Sequence, residues 1–192
     1  MSSVALLVID FINDIVDLKG KIGRSAERII KNHVIEHTNQ VIGYGREKNW
    51  QLIFVKVGFH PDYPECPKDS PIFGAAPTHK ALLLGSWGTE FHKNLAIEDT
   101  DLVIVKHRIN CFYATPLEAI LRAQKIDALV LTGVATHMAI EHATRAAHDL
   151  DYSVKVIQDA CEAGTEELHN NALGSIKNFA KVMTTKELLH QG

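Results

Sequence analysis

The sequence has little that would suit it to an oxidising compartment or to a membrane. Its three cysteines, Cys66, Cys111 and Cys161, form no CxxC pair, and an odd number cannot close into a set of disulfides. We therefore expect reduced thiols. No apolar stretch approaches membrane-spanning length, and no basic segment precedes the apolar run near the N-terminus. These absences predict a cytoplasmic protein.

Positive charge is not in excess either. The 20 Lys and Arg residues against 23 Asp and Glu give a formal net charge of −3, and no run of like charges suggests an interaction tail. Nucleic acid and membranes are therefore not expected as partners, whereas a small molecule is. A hydrophobic content of 46% fits one compact domain, residues 1–192, with a substantial buried core.

Six short apolar runs predict β-strands, and helical periodicity between most of them predicts helices. The runs cover residues 4–9, 51–57, 102–106, 128–133, 153–158 and 181–185. Helical spacing covers residues 25–50, 115–126, 136–151 and 164–180. The runs are continuously apolar, which is typical of strands covered on both faces. We therefore expect a three-layer α/β/α fold with a six-stranded parallel sheet.

Ligands of such folds bind beyond the carboxyl ends of the strands. Asp10, Lys106 and the turn after Gly133 all lie at such strand ends. Residues 60–88 are rich in proline, glycine and aromatic residues and contain no long periodic element. We expect this segment to be an ordered excursion over the site, with a plain surface loop as the alternative.

The residues at these strand ends suit acid–base chemistry, but each also has an ordinary explanation. A lysine ending a buried strand needs a nearby anion, for which Asp10 on a neighbouring strand is the obvious candidate. Alternatively, Asp10 caps a helix and Lys106 extends to solvent from an edge strand. The turn of residues 133–139 fits amides aimed at a developing oxyanion, or an ordinary loop in which Thr136 caps the next helix.

Three stretches, in this order and spacing, resemble the isochorismatase-like cysteine hydrolases: LLVIDFIND, VIVKHRINCFYATPLEAIL and LVLTGVATHMAIEHATRAAHDLDYSVKVIQDACEA. The resemblance covers nearly the whole chain. It implies an amidohydrolase that cleaves a C–N bond of a small molecule with an Asp-Lys-Cys triad, whose positions correspond to Asp10, Lys106 and residue 139. In such enzymes the Asp removes the thiol proton, the Lys holds the Asp, and sulfur attacks the carbonyl carbon.

Position 139 departs from the family pattern, because Ala139 stands where the nucleophilic cysteine is expected. The resemblance also implies a cis peptide bond between Val134 and Ala135 and oxyanion donors in the amides of Ala135 and Ala139, none of which needs a thiol. Three explanations stay open: an engineered Cys→Ala change, a natural isochorismatase-type enzyme that uses Asp10 as general acid on a vinyl ether, or an inactive homologue that binds a ligand or a partner. An amidohydrolase with its cysteine replaced is the preferred interpretation.

No other cysteine and no metal is expected to take over the chemistry. Cys111 lies near Lys106 but not in a strand–turn–helix position, where a thiolate gains from helix amides. Nicotinamidases of the resembling family bind a metal through an Asp and two His residues just after the second strand. Here His60 and Asp62 lack a second histidine at similar spacing, so we expect neither a metal nor another cofactor.

The last predictions concern the pocket wall and the assembly. Side chains with an aromatic face or a polar tip are expected to line the pocket: His60, Tyr63, Trp87, Phe112, Thr136 and His137. For Phe112 core packing is the alternative, and for His137 it is capping of the helix. The resemblance implies a homodimer or homotetramer, and it is open whether a neighbouring subunit completes the pocket.

Overall fold

The computed structural model describes residues 3–190, so the ends of the predicted domain, residues 1–2 and 191–192, lie outside the described part. None of the helices described is long and apolar enough to cross a membrane. The strands are β1 (Val4–Ile9), β2 (Gln51–Val57), β3 (Leu102–Lys106), β4 (Ala128–Val134), β5 (Ser153–Glu162) and β6 (Lys181–Met183). The helices are α1 (Asn13–Val16), α2 (Ala26–Lys31), α3 (Val34–Glu47), α4 (Ala76–His79), α5 (Leu117–Ala123), α6 (Glu141–Asp149), α7 (Glu166–Ile176) and α8 (Thr185–Leu189), with a 3₁₀ turn at Trp87–Thr89 and a π-helical turn at Thr136–Ile140.

All six strands run parallel in one sheet, in the order β3-β2-β1-β4-β5-β6. The predicted six-stranded parallel sheet is therefore confirmed. The chain starts in the middle with β1, adds β2 and β3 on one side, and then returns to add β4, β5 and β6 on the other. The strand order thus reverses between β1 and β4, and the carboxyl ends of these two strands leave a crevice that suits a ligand.

The burial of β1 shows why the sheet lies between two layers of helices. Every residue from Ala5 to Ile9 is fully buried. Residues 5, 7 and 9 belong to one apolar cluster, together with Leu121 of α5 and Ala143 of α6. Residues 6 and 8 belong to a second cluster with Val41 of α3. Because successive side chains of a strand point to opposite faces, one apolar run supplies both cores.

Several elements differ in extent from the sequence prediction. The last strand, predicted to span residues 181–185, ends at Met183, and α8 begins at Thr185. The helical segment 25–50 is divided into α2 and α3, because His33 between them has a φ of 53°, and this left-handed conformation does not continue an α-helix. Strand β5 runs beyond residue 158 to Glu162, since its pairing with β4 shifts register and resumes with Cys161 opposite Gly133. This extension places Glu162 beside Val134.

The excursion of residues 60–88 is held by its own apolar cluster, in which Phe59, Phe73 and Leu82 are buried. Backbone hydrogen bonds join it to the end of β2. The Phe59 amide donates to the Leu82 carbonyl at 2.8 Å, and the Leu84 amide donates to the Phe59 carbonyl at 2.8 Å. The excursion therefore folds back over the carboxyl end of the sheet.

Candidate active site

A cavity of about 330 Å³ lies at the carboxyl ends of the central strands. Its wall is mostly apolar with a few polar groups, a composition typical of small-molecule sites. It is formed by the ends of β1, β2, β3 and β4, by the segment after β1, by the excursion and by α7. The lining residues are Asp10, Ile15, Ile22, Arg24, Ser25, Val57, Pro71, Ile72, Phe73, Leu82, Lys106, Ile109, Val134, Ala135, His137, Met138, Ala139, Gly164 and Leu168.

A larger groove of about 460 Å³ lies at the opposite edge of the sheet, where β2 and β3 begin. Its two charged side chains, Arg46 and Asp101, bind each other through N–O contacts of 2.9 and 2.6 Å. The bidentate pair occupies the polar groups that would otherwise meet a ligand. The cavity at the carboxyl ends of the strands is therefore the better candidate for an active site.

Asp10 directly follows β1 and turns its carboxylate into the crevice. Its φ of 62° is left-handed, a conformation that Asp tolerates better than most residues, and its amide still pairs with the Val55 carbonyl at 2.8 Å. The side chain is buried. Oδ1 accepts a hydrogen bond from the Val57 amide at 2.9 Å, and Oδ2 lies 2.7 Å from Lys106 Nζ. Both carboxylate oxygens are thus fixed by N–H donors.

Lys106 is the last residue of β3, and its side chain is 1% exposed. Besides Asp10, its ammonium donates to the Ile109 carbonyl at 2.8 Å. The expectation that Asp10 lies on a neighbouring strand is wrong, because β2 separates β1 from β3. The long lysine side chain instead reaches across the end of β2, whose final residue Val57 contributes its amide to the same carboxylate.

Burial raises the pKa of Asp10 above the ordinary value for Asp, because removal from water disfavours the charged form. The Lys106 ammonium and the Val57 amide act in the opposite direction, since each stabilises the carboxylate. A raised pKa is the direction that suits a residue exchanging protons near neutral pH.

The turn after β4 carries the position of the expected nucleophile. The peptide bond between Val134 and Ala135 is cis, and the π-helical turn begins at the next residue. The Ala135 carbonyl accepts hydrogen bonds from the amides of Met138 and Ile140, the neighbours of Ala139 on either side. Ala139 itself is 3% exposed and lines the cavity. Ala139 therefore borders the same small space as Asp10 and Lys106.

A polar network connects the first residue of this turn, Thr136, to the neighbouring elements. Thr136, which is fully buried, has its Oγ1 2.8 Å from His169 Nδ1 of α7. His169 Nδ1 lies 3.9 Å from Glu162 Oε1, and that carboxylate accepts hydrogen bonds from Arg28 at 3.1 Å and Asn32 at 2.5 Å. Burial lowers the pKa of His169, although the nearby Glu162 opposes this effect. The network ties the turn to β5, α7 and α2.

The structure brings one of the six predicted pocket residues, His137, into the cavity wall. The other five are absent from it: His60, Tyr63, Trp87, Phe112 and Thr136. Thr136 is the first residue of the π-helical turn, and its buried side chain contacts His169. Burial lowers the pKa of His137, which favours its neutral form at neutral pH.

Two of the three predicted aromatic rings, those of Tyr63 and Phe112, pack elsewhere, and the third, that of Trp87, is largely exposed. Tyr63 packs beside Phe59 in the excursion, and its hydroxyl donates to the Ala81 carbonyl at 2.9 Å. Phe112 stacks near Tyr152, with ring centroids 6.2 Å apart. Trp87 lies in the 3₁₀ turn with 45% of its surface exposed. Sequence composition placed these residues near the site but did not set their direction.

Several lining residues were not singled out from the sequence. Arg24 comes from the segment between α1 and α2, and Leu168 comes from α7. Phe73 and Leu82 belong to the excursion, whose unusual length was the one signal that pointed to them. No motif marks Arg24, since an isolated arginine after a glycine has many roles.

The three cysteines are free thiols and all are buried. Burial raises the pKa of Cys111 and of Cys161 to about 12, and it also raises the pKa of Cys66. None of the three lines the cavity. Since the thiolate is the reactive form, these side chains are poorly suited to act as nucleophiles.

Three potential metal ligands meet near the start of the excursion. His60, Glu65 and His107 can each place one ligand atom within 4.8 Å of the others, whereas Asp62 is outside this group. His107 directly follows Lys106 and is distant from His60 in the sequence, so no local spacing of residues reveals that the two are close. None of the three lines the cavity.

Comparison with known proteins identifies one family along almost the whole chain. The isochorismatase domain model matches residues 4–187. The chain is 30% identical over 189 residues to the isochorismatase family protein YecD of Escherichia coli O157:H7, an alignment covering 98% of this chain and 95% of that protein. It is 29% identical over 189 residues to the ureidoacrylate amidohydrolase RutB of Acinetobacter baylyi, covering 91% of this chain and 77% of that protein.

A solved structure has the same fold. The isochorismatase-like hydrolase from Alkaliphilus metalliredigens superposes with a TM-score of 0.81 at 24% identity, covering 99% of each chain. The domain match runs from β1 into α8, and a relative is aligned at 30% identity over nearly its full length. The resemblance seen in the sequence is thereby confirmed, and the chain belongs to the isochorismatase family of hydrolases.

Proposed function

We propose that the cavity is the active site of an amidohydrolase for small molecules whose nucleophile would be a cysteine at position 139. With alanine there, the chain keeps the scaffold and lacks the nucleophile. The observation that carries this proposal is the shared cavity: Ala139 lines the same space as the Asp10–Lys106 pair. A relative that is a ureidoacrylate amidohydrolase supports the reaction class.

The geometry suggests how each group would act. Asp10 would take the proton of a thiol at position 139. The Lys106 ammonium, 2.7 Å from the Asp10 carboxylate, would hold that carboxylate in place and favour the thiolate that forms. Sulfur would attack the carbonyl carbon, and the amides of Ala135 and Ala139 would stabilise the oxyanion. Collapse expels the amine, which takes the proton from Asp10. Water then hydrolyses the thioester with Asp10 again as base, releasing the acid and restoring the thiol.

A second candidate is hydrolysis of a vinyl ether with Asp10 as general acid and no thiol. The raised pKa of Asp10 favours it, because a general acid must be protonated at the working pH. The hydrogen bonds favour the first candidate, because N–H donors at 2.9 and 2.7 Å occupy both oxygens and stabilise the ionised form. We therefore keep the amidohydrolase as the main proposal.

The decisive experiment compares the chain with its Ala139→Cys variant. Both are assayed against small amides, imides and ureido compounds, and against isochorismate. The proposal expects no amide turnover by the chain and measurable turnover by Ala139→Cys. Asp10→Asn in the Ala139→Cys background should abolish that turnover, since the base is lost.

Met138→Cys is the matched control, because Met138 also lines the cavity but lies one residue away on the turn. It should remain inactive. Cleavage of isochorismate by the chain, together with an inert Ala139→Cys, would establish the vinyl ether hydrolase instead. If neither protein turns over any compound but a metabolite raises the melting temperature, the chain is a binding homologue.

A further inference from the structure

The cluster of His60, Glu65 and His107 has the composition of a transition-metal site. Two imidazoles and one carboxylate are a frequent ligand set for zinc, and a site of this kind leaves a fourth position for water. Zinc bonds of about 2.0–2.1 Å put tetrahedral ligand atoms about 3.4 Å apart, so atoms already within 4.8 Å of one another need only small side-chain rotations.

The hydrogen bond of His107 prepares it as a ligand. Its Nδ1 lies 2.6 Å from the Gly58 carbonyl oxygen. A carbonyl only accepts, so Nδ1 must carry the hydrogen and donate it. Nε2 of the neutral ring then has a free lone pair. Histidines that bind metals commonly donate their other ring nitrogen to a backbone carbonyl in this way, which fixes both the tautomer and the ring orientation.

His60 and Glu65 approach each other closely through Nδ1 and Oε1. The Glu65 carboxylate also accepts a hydrogen bond from the His60 amide at 3.2 Å, so its side chain is directed back toward the histidine. The contact between Nδ1 and Oε1 holds one proton at most, and a divalent cation that coordinates both atoms would displace it.

Arg108 brings the two halves of the cluster together without a metal. One of its nitrogens, Nη1, donates to the Glu65 carbonyl at 2.9 Å and to the His107 carbonyl at 2.6 Å. The backbone of the excursion is thereby joined to the segment that follows β3. A cation would find the ligand positions already assembled, which lowers the cost of binding.

We infer that His60, Glu65 and His107 bind one divalent transition-metal ion of the zinc class, which pins the start of the excursion to the end of β3. This set shares the region after β2 with the Asp and two His residues that the resemblance associates with nicotinamidases, but it has Glu65 as its carboxylate and takes one member, His107, from the end of β3. It also lies outside the cavity wall and does not depend on the proposed hydrolysis.

Zinc titration of the metal-free chain by calorimetry tests the inference, with Co²⁺ absorption as a report of the ligand geometry. We expect one tight site, proton release on binding, and a rise in melting temperature. Mg²⁺ and Ca²⁺ should not compete, because they prefer oxygen ligands. Zinc binding should weaken by at least about tenfold in each of three variants, His60→Gln, Glu65→Gln and His107→Gln, because loss of a direct ligand should cost no less than loss of a residue that only supports one.

The matched control is His148→Gln. His148 is an exposed histidine whose Nδ1 lies 3.2 Å from Asp149 Oδ1. Among the described residues it belongs to no group of three potential metal ligands. It should leave the tight site unchanged. Two results would overturn the inference: His107→Gln binding zinc as tightly as the unaltered chain, or His148→Gln losing as much affinity as the cluster variants. Either would mean that zinc binds surface histidines without this site.

Discussion

Lys106 reaches Asp10 across the end of an intervening strand. Its Nζ lies 2.7 Å from Asp10 Oδ2 although β2 separates their strands, and the two side chains are 1% and 5% exposed. The Val57 amide of β2 completes the arrangement by donating to Oδ1 at 2.9 Å. Three strand ends therefore share two opposite charges that would each be costly to bury alone.

Removing the lysine should destabilise the fold in a pH-dependent way. Without its cation, Lys106→Met leaves Asp10 buried with a pKa raised still further above its unfolded value. The native state then favours the protonated carboxyl, so stability falls as the pH rises through the folded pKa. We expect urea unfolding to show a loss of about 3–5 kcal/mol near pH 8 and a smaller loss near pH 5.

Lys177→Met provides the baseline for this comparison, because Lys177 is an exposed lysine at the end of α7. It should change the free energy of unfolding by no more than about 0.5 kcal/mol at either pH. Equal losses for Lys106→Met near pH 5 and pH 8 would show that the charge of Asp10 is not the source of the effect.

The positions of Asp10 and Lys106 and their pairing were predictable, but the strand order between them was not. Each follows an apolar run, and the carboxyl ends of parallel strands share one edge of the sheet. Strand order is not encoded in any local pattern, so the sequence did not show that β2 lies between them. The same limit hid His107 as a potential metal ligand, since its approach to His60 depends on β3 lying next to β2.

The residues of the pocket wall were harder to predict than the residues at the strand ends. Ala139 follows a strand and a recognisable turn, so a motif located it. Tyr63 and Phe112 were chosen by residue type alone, and the direction of an aromatic side chain depends on which core is closest. Phe59 and Tyr152 supplied those nearer partners. Irregular segments such as the excursion have no periodicity from which a facing direction can be read.

Gly133 should be irreplaceable where β4 meets the cavity. Its φ of 153° is unusual for L-residues, and an added Cβ would lie 2.5 Å from the Ile9 carbonyl oxygen and 2.9 Å from Ile140 Cδ1. We expect Gly133→Ala to lower the free energy of unfolding by more than about 2 kcal/mol, measured in urea.

The control for this substitution is Gly174→Ala in α7, where an added Cβ meets nothing within 4 Å. Alanine is the better helix former, so this variant should gain up to about 1 kcal/mol. A Gly133→Ala protein as stable as the unaltered chain would show that β1 and β4 move apart easily, contrary to the tight packing of the central strands.

His169 should make the fold acid-sensitive. Burial lowers its pKa below the unfolded value of about 6.5, against the opposing effect of Glu162. Its contribution is therefore complete above that value and is lost as the pH falls through about 6.5 toward the folded pKa, because the unfolded chain takes up the proton first. His169→Asn should lose less stability than the unaltered chain between about pH 7 and pH 5.

The exposed His148 again gives the comparison, and His148→Asn should keep the acid sensitivity of the unaltered chain. Unfolding free energies at several pH values measure the slopes, and NMR titration of the His169 ring measures its pKa directly. A ring that titrates at or above about 6.5 would remove the basis of this prediction.

Arg24 should favour anionic ligands at the mouth of the cavity. Among the described residues lining the cavity, Asp10 is already paired with Lys106, and the exposed Arg24 has no ion pair within residues 3–190. The cavity therefore carries an excess positive charge, and a guanidinium suits a carboxylate. Arg24→Met should weaken binding of small carboxylate-bearing amides by up to about tenfold, the exposure of the side chain limiting the effect. The measurement is calorimetry on the chain with Ala139, which reports binding without turnover, using each acid and its uncharged methyl ester. Lys21→Met, which removes a nearby cation outside the cavity wall, should leave both affinities unchanged. If Arg24→Met weakens acid and ester equally, Arg24 contributes apolar contact through its stem and its charge does not select the ligand.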